Sequence, residues 1–514
     1  MFKHPEGQPH PRPPVHLKKV GRYNFGEKIL GDNFSEIKNF LTQKKYFNST
    51  SQETLAAQLR NFIYKSSCRN EYVKFANKKL KEKKIDLNKN YDILIIGAGI
   101  HAAAFVYTVK KLDPNLNILI LEKSAEISST FHQLGDSLVL NSPTFSKVGL
   151  NSNIFQGHFI QTSDFDELSE KPFPTAKHLY QLAVMVLFHS DADILFNFDV
   201  KEVSNEKKLQ VISSKKEKIF SKNIILSNGM GANKKEPFEL NRKSKKIISG
   251  DEFLSRSFKD KKFFEKIKEK KVAVIGAGDT ANCVMEYLLP LVYPNYYYGF
   301  YRKDKFLPSF VYWFGQSAKN IQEYFFANKS RYCHSGGVIE FFWDEETPFE
   351  LSTEVWKKTK ELIECVPYKL ESIEDKNNLI YLRAGSKISE VDFVIDCTGR
   401  ENELSDKLTK QNYNFVKGDI ELYGGKWDEE LDRFIASPRK LLSKKIACKL
   451  ENKKIYLLGS ASPLNEMIDD EEAMNGSLQY QEERKSLTNS KWSLEHTLPR
   501  TIAFAESYKK FLDL

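Results

Sequence analysis

The chain has 514 residues, 41% of them hydrophobic and 13% aromatic, which is enough to build the cores of two or three domains. No stretch reaches the roughly 20 apolar residues of a membrane-spanning helix, and residues 1–14 carry Pro, His and charge where a secretory leader needs an apolar run, so a cytoplasmic enzyme is expected. The formal charge of +10 is uneven: residues 1–90 hold 19 Lys and Arg against 8 Asp and Glu, and the remainder is close to neutral, which argues against nucleic-acid binding by the body and leaves an anionic partner only for the N-terminal extension.

The first 20 residues, rich in Pro, His and Lys, read as a disordered arm. Thr50 and Glu53 form a capping-box pattern, and Leu55, Leu59, Phe62 and Ile63 recur at helical spacing, so an amphipathic helix is expected to begin near Thr50 and pack on the body. The six cysteines, at 68, 283, 333, 365, 397 and 448, contain no CxxC or CxxxxC pair, so neither a zinc ribbon nor a redox-active dithiol is written here.

An internal duplication then dominates the chain. YDILIIGAGIHAAAFVYTVKKL (91–112) and KKVAVIGAGDTANCVMEYLLPL (270–291) each read as buried strand, IGAG turn and helix. A second apolar strand is expected after each, at 117–121 and at 296–301. Alternating stretches at 193–213 and 379–395 lead into NIILSNG, closing at Gly229, and DFVIDCTG, closing at Gly399. The expected fold is α/β with two Rossmann-like dinucleotide-binding domains, the second inserted into the first. Its parts are an extension (1–90), a first FAD-domain segment (91–235), an NAD(P)H domain (236–400) and a second FAD-domain segment (401–514).

In the first unit Gly97, Gly99 and Ala102 form GxGxxA. The first Gly permits the tight turn, the second lets the backbone approach a pyrophosphate, and Ala102 keeps helix and sheet close. Ala98, Ile100 and His101 complete the loop, and Glu122 with Lys123 stands at the expected end of the second strand, where a carboxylate can accept hydrogen bonds from an adenosine ribose. The second unit repeats the turn with Gly276, Gly278, Asp279, Thr280 and Ala281. At its expected strand end it carries Arg302, Lys303 and Lys305, a basic cluster suited to a 2′-phosphate and hence to NADPH, or else a solvated loop in a Lys-rich chain.

These residues resemble FAD-dependent pyridine-nucleotide oxidoreductases of the two-dinucleotide type. IIGAGIHAAAFVYTV with LILEK resembles the FAD domain of that group, and GAGDTANCVMEYLLPL with YRKDKF its NADPH domain. KIYLLGSAS, with Gly459, resembles the strand that approaches the ribityl chain, with Ser460 in place of the usual Asp. Phe131 and His132 are similar to the Trp-His pair of N-hydroxylating monooxygenases, Leu140, Asn141 and Ser142 to the flavin-facing segment of flavin-containing monooxygenases, and IISGDEF (247–253) departs from their FxGxxxH fingerprint. The resemblance implies FAD and NADPH as cofactors, Asn141 beside the flavin, and a monooxygenase. That enzyme passes a hydride to the flavin and, through a C4a-(hydro)peroxide, one oxygen atom from O2 to a small substrate with a nucleophilic N or S. A dehydrogenase serving a quinone or protein acceptor, or a non-catalytic NADPH sensor, are the alternatives. His158, His334 and Cys333 read as structural, and FLPSFVYWF (306–314) either covers the nicotinamide or the substrate or packs against the sheet.

Overall fold

The computed structural model describes residues 33–46, 55–87, 89–138, 174–204, 209–229, 231–233, 244–257, 266–288, 308–315, 361–428, 433–464 and 494–512, with Ile160, Phe165, Asp166 and Phe263 between them. The described chain opens with three helices, α1 (Asn33–Gln43), α2 (Leu55–Tyr64) and α3 (Ser66–Glu82). Helix α2 carries the expected apolar stripe, with Leu55, Leu59, Phe62 and Ile63 buried, while the capping residues Thr50 and Glu53 lie outside the described residues. Helix α1 falls between the arm expected over the first 20 residues and the helix expected near Thr50, where no element was expected: Ile37, Phe40 and Leu41 recur at helical spacing and are buried in the main core.

The layer is pinned by a buried cation. Arg69 on α3 is fully enclosed, donates to the Ile63 and Tyr64 carbonyls at the end of α2 and to Gln181 Oε1, and lies 3.9 Å over the ring of Phe165. An enclosed guanidinium is tolerable because its Nε and Nη1 donors are met and the carboxylate of Asp166 stands 3.8 Å away.

Next come β1 (Tyr91–Ile96), α4 (Ile100–Leu112), β2 (Ile118–Leu121), the short α5 (Ser129–Leu134), α6 (Ala176–His189), β3 (Asp193–Leu195), β4 (Val200–Ser204), β5 (Gln210–Ser213) and β6 (Lys218–Leu226). The chain crosses through β7 (Ala232–Asn233) to β8 (Ile247–Ser249), α7 (Gly250–Ser257), β9 (Lys271–Ile275), α8 (Asp279–Leu288), β10 (Phe310–Phe314), β11 (Ile363–Val366), β12 (Ser372–Lys376), β13 (Leu379–Ala384), β14 (Lys387–Val391) and β15 (Phe393–Asp396). It returns through β16 (Arg400–Glu401) to α9 (Glu403–Thr409), β17 (Tyr413–Asp428), β18 (Arg433–Leu450), β19 (Ile455–Leu457), α10 (Leu494–Glu506) and α11 (Tyr508–Phe511).

Two main sheets result, as the α/β reading expects: one parallel from β19 to β3 with β17 and β18 added antiparallel, the other parallel throughout. The first runs β17-β18-β19-β6-β1-β2-β3, with β4 and β5 as a side ribbon, and the second runs β11-β10-β9-β15-β8. Both faces of β1 are covered, Ile93 and Ile95 by the core of α4, α6, α10 and the N-terminal helices, Leu94 and Ile96 by a second cluster. In the second sheet Val272 and Val274 face α7 and α8, and Ala273 and Ile275 face β12–β14. Central strands buried on both faces explain why both strand segments read as unbroken apolar runs. The outgoing and returning chains lie side by side, β7 pairing antiparallel with β16 at Asn233–Arg400 and Ala232–Glu401.

The strand expected at 296–301 lies outside the described residues, and the described strand that follows α8 and pairs with β9 is β10, from the aromatic stretch 306–314. Its β-branched and aromatic run FVYWF fits a buried parallel strand, so that stretch belongs to the sheet.

Candidate functional site

The two glycine turns occupy equivalent positions down to single hydrogen bonds. Gly97 N donates to Leu121 O at 2.8 Å, and Gly276 N donates to Phe314 O at 2.8 Å. Ser227 N donates to Ile96 O at 2.9 Å, and Cys397 N to Ile275 O at 2.7 Å. Each turn thus sits between the ends of three parallel strands, and Gly229 and Gly399 follow at matching places with φ of +68° and +105°. This end of a parallel sheet is where helix N-termini and loop N–H groups converge.

Gly97 and Gly276 have φ of +99° and +111°, a region that side chains disfavour. A Cβ at Gly97 would stand 2.7 Å from Asn228 Cα and Ser227 O, and one at Gly276 would overlap the Cys397 carbonyl. The second glycines differ. Among the described residues, a Cβ at Gly99 would meet only Ser227 O at 3.8 Å, and one at Gly278 would meet nothing within 4 Å. The first glycine of each turn is therefore demanded by the protein itself, whereas the second borders open space beside a helix N-terminus. That is the cradle a dinucleotide pyrophosphate would fill, so the residues present fit the group in both units.

Around the first turn, Ala98, Ile100 and Ala102 are buried between helix and sheet. Glu122 is buried too: Oε2 accepts from Ala98 N at 2.8 Å and Oε1 from Ser124 N at 2.9 Å. An ionised carboxylate keeps further lone pairs for a ribose. Lys123 points to solvent. His101 is buried, its Nε2 2.8 Å from Thr497 Oγ1 on α10, and burial lowers its pKa to about 4, so the ring is neutral. Gly459 lies against that ring, since a Cβ there would come within 2.6 Å of His101 Cγ. Phe131 packs between the first core and the α7–α8 core, and the exposed His132 ring lies 4.6 Å from that of Tyr180.

Sequence reasoning missed Ser128. Its N–H donates to Ala98 O at 3.0 Å, its φ is +45°, and its buried hydroxyl has no hydrogen-bond partner. A non-glycine residue with positive φ is strained, and nothing in the composition of SAEISST announces it.

In the second unit Ala281 is buried, Thr280 Cγ2 lies close to Gly250, and Asp279 begins α8. Gly250, in the segment IISGDEF, starts α7 with no room for a Cβ between Thr280 and Cys397 Sγ. By register, the residue matching Glu122 is Gly315, the first after β10; the basic residues Arg302, Lys303 and Lys305, like Asn141, lie outside the described residues. Gly315 is packed against the turn: a Cβ would stand 2.8 Å from Ala277 Cβ. Arg400 ties the returning ribbon to this domain by an ion pair with Asp251 and to the outgoing chain by a hydrogen bond to Gly231 O. The five described cysteines form no disulfide with one another, and the described residues contain no His/Cys/Asp/Glu group able to hold a metal.

The model of a family described as pyridine nucleotide-disulphide oxidoreductase matches residues 94–292, which include both glycine turns. No curated protein matches the sequence. Among solved structures, the chain is similar to an ornithine N-hydroxylase of Kutzneria sp. 744, at 13% identity and a TM-score of 0.47, over 82% of this chain and 99% of that one. It is similar over the same shares to a bacillithiol disulfide reductase of Staphylococcus aureus, at 11% identity and a TM-score of 0.46. A Lactococcus lactis thioredoxin reductase matches at 11% identity and a TM-score of 0.44, again over 82% and 99%. The family match accords with a flavin and a pyridine nucleotide as the two cofactors. No described helix is long and apolar enough to cross a membrane.

Proposed function

We propose that the chain is an FAD-dependent NADPH oxidoreductase, with FAD on the Gly97–Gly99 turn and NADPH on the Gly276–Gly278 turn, and that it acts as a monooxygenase on a small substrate with a nucleophilic N or S. The observation that carries the reading is the pair of equivalent turns on two sheets, each with its second glycine bordering open space. When bound, the nicotinamide supplies a hydride and the flavin accepts it and activates O2. The chain's own residues supply placement. The N-termini of α4 and α8 and the loop N–H groups favour the pyrophosphates. Glu122 accepts from the FAD ribose while holding Ala98 N, and neutral His101 closes the loop against Gly459 without adding charge beside a phosphate.

The monooxygenase assignment is supported by the lack of a CxxC or CxxxxC dithiol in the sequence to receive electrons, and by the resemblance around Phe131, His132 and Asn141. Anaerobic mixing of the purified yellow protein with NADPH or NADH tests the first level, and NADPH-dependent O2 uptake with and without candidate amines tests the second. Flavin that stays oxidised with both nucleotides sinks the oxidoreductase reading. Rapid reduction followed by turnover only with a quinone replaces the monooxygenase by a dehydrogenase.

A further inference from the structure

The two turns present the same peptide, Gly97–Ala98 in one unit and Gly276–Ala277 in the other, and each is gripped from a different edge. In the first, Ala98 N–H is held by Glu122 Oε2 at 2.8 Å. In the second that position is Gly315, which has no side chain, and the grip comes from the carbonyl edge: Trp313 Nε1 donates to Gly276 O at 2.7 Å. By register Trp313 corresponds to Ile120 of the first unit, which has no donor. Carboxylate-and-isoleucine has been exchanged for glycine-and-tryptophan.

We propose that Trp313 is a positioning residue for the pyridine nucleotide, setting the direction of the loop N–H groups offered to it; this rests on the reading that the second turn holds that nucleotide. Trp313 is almost fully buried and rigidly packed in the α7–α8 core with Val272, Val274 and Val311, so its N–H is a fixed donor. No described peptide is cis, and in a trans peptide the C=O and N–H point opposite ways. Holding Gly276 O on the indole therefore turns Ala277 N–H away from Trp313. That N lies toward the Gly315 end of β10, 3.3 Å from where a Cβ of Gly315 would stand, the side on which Ala98 N–H meets Glu122. Without the indole donor, a peptide flanked by a glycine at φ +111° is free to rotate, and rotation would direct a carbonyl oxygen at an anionic ligand. The bond selects the binding-competent orientation, and its loss lowers apparent affinity by the fraction of loops that leave it.

The test uses the full-length, flavin-loaded protein with NADP+ and NADPH as probes. β-(3-Benzothienyl)alanine at position 313 keeps the shape of the indole and replaces its N–H by sulfur, and Trp313→Phe serves as a second variant. The expected result is a rise of about fivefold in the Kd for NADP+, the size of one neutral hydrogen bond. The limiting rate of flavin reduction at saturating NADPH stays within about twofold, and flavin content is unchanged. A wild-type Kd in the isostere overturns the proposal, as does a parallel fall in flavin content and limiting rate, which marks Trp313 as core alone. A native protein that binds neither nucleotide sinks the proposed function itself.

Discussion

The Gly97–Gly99 and Gly276–Gly278 turns have the same IGAG sequence and the same backbone bonds, yet they are enclosed differently. The first is ringed by residues from distant parts of the chain: Glu122 and Ser128 hold Ala98, and His101 reaches Thr497 and lies under Gly459. The second is held by its own sheet, through Trp313, Gly315 and Cys397. A loop tied to many elements suits a cofactor that stays bound, and one whose ties among the described residues come from its own sheet suits a ligand that exchanges, because local opening costs least where few partners must be broken.

The sharpest way to break this comparison is to separate the glycines within each turn. Gly97→Ala should lower stability by roughly 3 kcal/mol or more, from overpacking and a disfavoured φ, measured by denaturant titration. Gly99→Val should fold with wild-type circular dichroism and lose flavin by about a hundredfold in affinity, the cost of blocking a pyrophosphate. Gly278→Val should keep its flavin and lose reduction by NADPH. A flavin-free Gly278→Val protein would mean that the two sites have been assigned the wrong way round.

Next in size are the strand-end positions. Glu122→Gln should weaken flavin retention about tenfold, since a charged hydrogen bond to Ala98 N becomes neutral. Gly315→Ala should raise the Kd for NADPH by a similar factor without affecting flavin, as its Cβ presses on Ala277. Equal effects of both substitutions on both ligands would end the claim that the turns work independently.

His101 gives a pH signature to the first turn alone. Its pKa falls from 6.5 in the unfolded chain to about 4 in the folded one. Between those values the unfolded state takes up a proton that the folded state refuses. Stability therefore falls as pH drops from 6.5 to 4, by up to on the order of 3 kcal/mol. Relative to wild type, His101→Gln should flatten the denaturation midpoint across that window; an unchanged slope would show that the ring is not held neutral. The smallest expected effect is at Ser128. Ser128→Gly should stabilise by about 1 kcal/mol, by relieving φ +45° and removing an unpartnered buried hydroxyl, with a higher Tm and unchanged flavin content as the readout.

Much of this was legible from residue order. The two strand–IGAG–helix units and the Gly229 and Gly399 closures appear where the apolar runs and glycines place them, because a turn between a buried strand and a helix needs its glycine at one fixed offset. Helix α1 was less legible: its buried residues, Ile37, Phe40 and Leu41, are few and embedded in a charged stretch.

What residue order determined by itself was local: which segments become buried strands, and which glycines must take positive φ. Which residue meets which turn was decided only by tertiary structure. YRKDK follows the second helix more closely than FVYWF does, yet it is FVYWF that pairs with β9 and brings Gly315 to the place of Glu122. His101 and Thr497 are 396 positions apart and hydrogen-bonded. Pairing among parallel strands is a choice among distant segments of similar apolar character, settled by which set buries the most surface with every backbone group satisfied, and no local pattern encodes that comparison.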